Sequence, residues 1–326
     1  MRKLILGFLV GMVALIGNAA AQDNYPNKTI TLVTPYAPGG GSDFLTRVLA
    51  EALHRVLGQS VVVLNAPGAG GVVGTAKVAS AAPDGYTLLN HHVGISTAPA
   101  LYKNLQFDTS KFETIGLWAD TPMVIVARKT MPAANMNELV EYVRKNKDNV
   151  TSASSGMGSS IHLCAMMFEK TIGASTRMIQ YKGAAPATID LQAGRVDLLC
   201  DVTAGSIIGQ IQNGSLKAYA VTSATRLDSL PNVPTSAEVG LPELNVTAWY
   251  GLYAPPGTPK PIIERLSSAL KAVTQDQSVA ARLAKLDTTL FSSSQATPEA
   301  LREKLTSQMK LWRQLIEKAQ AAAGAN

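Results

Sequence analysis

Four short stretches concentrate glycine and serine where an apolar run gives way to a helical pattern: "APGGGSD" (37–43), "NAPGAGG" (65–71), "SASSGMGSS" (152–160) and "QYKGAAP" (180–186). The chemistry open to such turns is anion binding. A helix N-terminus carries about half a positive charge and several N–H groups without partners in the helix. Glycine puts no Cβ between that backbone and a ligand, and Ser42, Ser154 and Ser155 add hydroxyl donors. A carboxylate can then be held by neutral groups, with no dedicated arginine. The bland alternative for "YAPGGGSDFLTR" (36–47) is a tight strand-to-helix turn with no ligand. Ser154 and Ser155 could equally cap a helix, and Lys182 reads as an ordinary surface lysine or as an offset for ligand charge. Asp43 would repel an anion directly; it either caps the helix start or meets a ligand that also carries an amine or hydroxyl.

Other site chemistries find less support. His91 and His92 are adjacent in a strand-like run, so they face opposite ways and cannot easily share a metal; one of them can donate to a ligand carboxylate. With only His54 and His162 besides, and no HExxH spacing, no metal site is expected. Gly68, Gly70 and Gly74 follow an apolar run but miss the G-x-G-x-x-G spacing, and no ribose-binding acid follows at the required distance. The G-x-S-x-G nucleophile and G-x-x-x-x-G-K-[ST] phosphate motifs are absent. No cofactor is expected, and an exported enzyme is the weakest reading.

These turns need strands and helices to hold them. "TITLVTPY", "SVVVLN", "GYTLLNHH", "NVTSASS", "RMIQYKG", "RVDLLCD" and "LKAYAVT" read as strands. Helical spacing runs from Ser42 to Leu57 and stops at Gly58, and Gly71 to Ala81 forms a small-residue helix. Short apolar strands alternating with helices imply α/β architecture with buried, mainly parallel sheets. Two β-rich runs read as crossings between two lobes: Thr114 to Thr130, with Pro122 inside, and Asn245 to Pro259. The expected division is 22–122 with 248–326 as lobe one and 123–247 as lobe two, hinged at the crossings. The C-terminal helices, Pro259 to Thr274 and Pro298 to Ala323, rejoin lobe one.

The ends and the composition set the compartment. Arg2 and Lys3, an apolar Leu4–Ile16 and Ala19-Ala20-Ala21 describe a signal peptide over 1–21, so a periplasmic protein is expected. Its removal lowers the net charge from +6 to +4, and the basic residues are dispersed, which argues against nucleic-acid binding. Cys164 and Cys200 read as two buried free thiols rather than a disulfide, although export permits a bridge.

"PYAPGGGSD", "VVVLNAPGAGG", "APDGYTLL" and "WYGLYAPPGTP", in that order, resemble the substrate-binding proteins of tripartite tricarboxylate transporters, the Bug-type receptors. The resemblance covers essentially the whole chain beyond the leader. It implies a two-lobed Venus-flytrap receptor, not an enzyme. The receptor closes on a small carboxylate and delivers it, as a monomer, to ion-driven membrane transporter subunits. It further implies one carboxylate at Tyr36, Ala37, Gly39, Gly40, Gly41, Ser42 and Asp43. The rest of the ligand would meet Ser154, Ser155, Gly156, Tyr181, Lys182, Gly183 and Ala184, with Asp201 at the cleft edge. A carboxylate-sensing receptor that docks a sensor protein would share this fold. The ligand, from citrate-like and C4 acids to terephthalate, stays open.

Overall fold

The apolar runs and the helical stretches between them alternate through residues 25–324, without residue 148, which this computed structural model describes. The expected leader lies outside those residues. The chain begins with β1 (Ile30–Thr34), α1 (Gly41–Leu57), β2 (Val61–Asn65), α2 (Val72–Ala79), β3 (Thr87–His92) and the single turn α3 (Ala98–Leu101). The long β4 (Glu113–Arg128) leads to α4 (Met136–Asn146), β5 (Thr151–Ser154), α5 (Ser160–Ile172) and β6 (Arg177–Gln180). Then come α6 (Ala184–Gln192), β7 (Leu198–Val202), α7 (Ile207–Gln212) and β8 (Leu216–Val221). The chain returns through β9 (Thr247–Ala254) to α8 (Lys260–Gln275), α9 (Gln277–Ala284), β10 (Thr289–Leu290) and α10 (Pro298–Gly324).

β1 pairs in parallel with β2 and β3, and β5 pairs in parallel with β6 and β7. Two antiparallel strands join these groups. β9 lies between β3 and β4, while β4 runs on to β7 and β8. The β4–β9 ladder ends at Pro122↔Thr247, and from Met123 onward β4 pairs with β7 instead. Proline cannot donate to a ladder, and Pro122 stands where the strand changes partners. This is how one 16-residue strand accommodates it. The result is a mixed α/β fold of two halves, parallel at the flanks and antiparallel at the junction.

Helix ends follow local chemistry. α1 stops at Gly58, whose φ of 71° is left-handed and suits glycine. Leu301, Leu305, Trp312 and Ile316 of α10 pack with Leu89 of β3 and Tyr253 of β9, so the C-terminal helix lies against the first half of the chain.

Two expectations need correction. The fully apolar "SVVVLN" belongs to the strands expected to form buried sheets, yet β2 is the sheet edge, and Val62 is 49% exposed. With one neighbour only, its alternate side chains face outward. Cys164 and Cys200 are not free thiols but a disulfide joining α5 to β7. Packing of that helix on that strand brings their Cα atoms to 6.0 Å, within bridging range.

Candidate functional site

α1 begins without a side chain over its end. Gly40 is the N-cap and supplies no acceptor. Asp43 does not cap either: its carboxylate accepts from Gly39 N at 3.0 Å, from Asn65 Nδ2 at 2.9 Å and from Arg47. Burial alone would raise this carboxyl, but those hydrogen bonds hold it below its ordinary value. Asp43 thus shapes the loop and stands outside the cavity lining. The first turn is fixed from behind. Thr46 Oγ1 donates to Ser42 O, Asn90 Nδ2 donates to Thr46 Oγ1, and Trp118 Nε1 donates to Asn90 Oδ1.

α6 starts the same way, with Gly183 as a bare N-cap. The two starts face each other. A Cβ on Gly40 would lie 3.1 Å from Ala184 Cβ, and one on Gly41 would lie 2.3 Å from Val202 Cγ2. Only glycine at 41 permits that approach. Across the same gap Ala37 N donates to Lys182 O at 3.1 Å, Thr97 Oγ1 to Gly158 O at 2.9 Å, and Tyr102 Oη to Met157 O at 2.9 Å.

The space between the halves is lined on one side by Tyr36, Ala37, Gly40, Gly41, Ser42 and His92. Ser155, Ser160, Ile161, Ala184, Asp201 and Val202 line the other. Neither lysine nor arginine is among them. About 10 Å³ is open to the centre of a water-sized sphere, room for roughly one water. A small-molecule pocket usually offers at least about 300 Å³, so this is a closed arrangement, and an organic ligand enters only when the halves part.

His92 is the cleft-facing member of the histidine pair. Gly94 N donates to its Nδ1 at 3.0 Å, so the neutral ring carries its proton on Nε2 and offers it as a donor. Burial pushes the ring down to about 3, which keeps it neutral. Tyr36 stacks on it at 4.8 Å, and Tyr250 meets it edge-on at 5.6 Å. His91 points the other way, as strand alternation requires, into a small space beside Gly70 and Thr75, where its Nδ1 has no partner. Burial holds it well below its ordinary value. Among the described residues no cluster of three His, Cys, Asp or Glu could hold a metal.

Asp201 is 4% exposed, near the end of β7. Its Oδ1 accepts from Val202 N at 2.8 Å. Burial pushes its carboxyl up to about 7.

Nine residues expected at the site therefore meet around one cavity: Tyr36, Ala37, Gly40, Gly41, Ser42, His92, Ser155, Ala184 and Asp201. The others surround it. Ser154 Oγ closes a turn onto Gly156, and Gly156 packs against Gly70 of the opposite half. Tyr181 Oη donates to Asp190, and Lys182 is exposed with only its carbonyl in the interface. Gly183 packs on Ala37, and Gly39 sits beside Ala185. Sequence reasoning did not single out Ser160, Ile161 or Val202. Nor did it find Tyr250, whose hydroxyl lies 2.9 Å from Ser42 Oγ. The serine-rich turn 152–160 did point at Ser160; nothing in "TAWYGLY" marks Tyr250 off from core aromatics.

Two α/β halves closing on a cavity of neutral donors define a two-lobed solute-binding protein. The chain belongs to the tripartite tricarboxylate transporter family receptors, whose family model matches residues 45–320. It is 41% identical over 302 residues to a UPF0065 protein in the TAR-I ttuE-ttuC' intergenic region of Agrobacterium vitis, spanning 92% of this chain and 87% of that one. The structure of the periplasmic binding protein BugD is 44% identical, with TM-score 0.87, over 91% of this chain and 99% of that one. MatC from Rhodopseudomonas palustris, solved with bound malate, is 32% identical, with TM-score 0.85, over 90% and 100%. The matched family is one of receptors and BugD is a periplasmic binding protein, so the chain is a receptor rather than an enzyme. Among the described residues no helix is long and apolar enough to cross a membrane.

Proposed function

We propose that this chain is a periplasmic receptor that closes on a small di- or tricarboxylate, or an aromatic carboxylate, and delivers it to an ion-driven tripartite transporter in the membrane. One observation carries the reading. Two helix starts, each bare of a capping side chain, point at one cavity from opposite halves. Like-signed helix ends repel across such a gap, and a negative group between them turns that repulsion into attraction. The donors around the cavity, His92 Nε2–H and the hydroxyls of Ser42, Ser155 and Ser160, complete an anion site without a cation.

On this reading the lobes are 22–122 with 248–326, and 123–247. They hinge where β4 and β9 part at Pro122 and Thr247. The leader over 1–21 is removed on export, and the receptor acts as a monomer. Because each lobe supplies part of the contact set, the ligand favours the closed form by its differential affinity for that form.

A thermal-shift screen over citrate, C4 and C6 diacids, and aromatic acids tests the proposal. At a hundred times its dissociation constant a bound acid stabilises the protein by about 2.7 kcal/mol, so at least one acid raises the melting temperature by several degrees and its amide does not. Melting unchanged by every acid would contradict the reading.

A further inference from the structure

We infer that Asp201 selects the ligand's chemistry: the cleft takes a dicarboxylic acid whose carbon chain also bears a hydrogen-bond donor, a hydroxyl or an ammonium, directed at the Asp201 carboxylate. The inference rests on the carboxylate reading above and narrows it.

Asp201 lines the cavity and is almost wholly buried. One oxygen accepts the neighbouring Val202 N–H; the other makes no hydrogen bond within the described residues, and no lysine or arginine lines the cavity beside it. Unlike His91 Nδ1, that oxygen is not sealed in the interior but borders the cavity, where it can accept from a ligand. The titratable groups near it supply no partner. Tyr250 on β9 is held neutral by burial, and its hydroxyl is engaged with Ser42. His92 on β3 is neutral as well. Asp43 turns away into its own loop. The other polar wall groups are hydroxyls, an imidazole N–H and backbone N–H groups, all able to donate to a ligand's carboxylates. Asp201 is the one side chain there that, when ionised, can only accept. A plain diacid brings two carboxylates and no donor for that acceptor, whereas a hydroxyl or ammonium on the ligand would meet it.

Calorimetric titration at pH 8, where Asp201 is ionised, compares matched acids: succinate, malate and aspartate, then glutarate, 2-hydroxyglutarate and glutamate. A hydrogen bond to a charged group corresponds to about 10- to 100-fold in affinity. At least one substituted acid should exceed its plain parent by that factor, and Asp201→Asn and Asp201→Ala should bring the two within about threefold. A parent acid that binds the unaltered protein as tightly as its substituted partners overturns the inference, whatever the variants do. So does a preference that survives in Asp201→Ala. Binding by none of the six overturns it too, and the wider acid screen then decides separately whether the carboxylate reading stands.

Discussion

At the scale of single residues, the site depends on what is missing as much as on what is present. A Cβ on Gly41 would strike Val202 across the cleft, while nothing in its own half crowds it. Gly41→Ala is therefore expected to oppose closure rather than folding. Overpacking of this kind costs about 1–3 kcal/mol, so affinity should fall roughly 10-fold or more. The unliganded melting temperature should stay close to that of the unaltered protein, and calorimetry beside thermal melts checks both. Asp201 gives a second outcome. Burial raises its carboxyl from 3.8 to about 7, so between those values the folded chain holds a proton that the unfolded chain releases. Stability then falls as pH rises from about 4 to about 7, by an amount on the order of a few kcal/mol. Asp201→Asn should remove that fall, so, to the extent that the ligand-free chain holds the closed arrangement, its melting temperature gains on the unaltered protein with rising pH. A constant difference across that range would mean that Asp201 does not titrate there. At this scale the glycines were legible because bare helix starts have few other uses. The roles of His91 and His92 were not, because which faces the cleft depends on how β3 is set against its neighbours.

At the scale of elements, α5 and β7 form one wall of the cleft, and the disulfide between Cys164 and Cys200 ties them together. A bridge closing a loop of 36 residues contributes about 3–4 kcal/mol on chain-entropy grounds. Replacing both cysteines with alanine should lower the melting temperature by roughly 5–10 °C. It should also weaken binding, because Ser160 and Ile161 lie on the tied helix and Asp201 on the tied strand. Titration of the denatured, unreduced protein should find no free thiol; two would contradict the bridge. Strand and helix alternation was read correctly from the runs themselves, down to the stop of α1 at Gly58. The bridge was not readable, since a sequence separation of 36 says nothing of how α5 packs on β7. The exposed face of β2 was missed for a related reason. "SVVVLN" is apolar throughout, and only the strand order reveals that it has a neighbour on one side.

At the scale of the whole molecule, the halves are clasped by hydrogen bonds from Ala37 N, Thr97 Oγ1 and Tyr102 Oη to carbonyls of the opposite half, and the cavity between them has room for about one water. Ligand exchange therefore requires an opened form, and small-angle scattering should give a smaller radius of gyration at saturating ligand than without it. Scattering profiles that coincide would argue against closure on the ligand. The two-lobed plan was legible from Pro122 and the second crossing near Thr247, because a proline inside a long β-rich run demands an explanation at the level of the sheet. Val202 was not, since only closure brings it against Gly41; nor was Tyr250, since its contact with Ser42 depends on how β9 is set beside β3. On the proposed function, the facing starts of α1 and α6 hold an organic acid between them. A crystal structure with the tightest acid from the screen tests it directly. It should place ligand carboxylate oxygens within hydrogen-bonding distance of the backbone N–H groups at Gly41–Ser42 and near Ala184, with His92 Nε2 donating to the ligand. An acid bound outside that cavity, or inside it with those N–H groups directed elsewhere, would contradict the account.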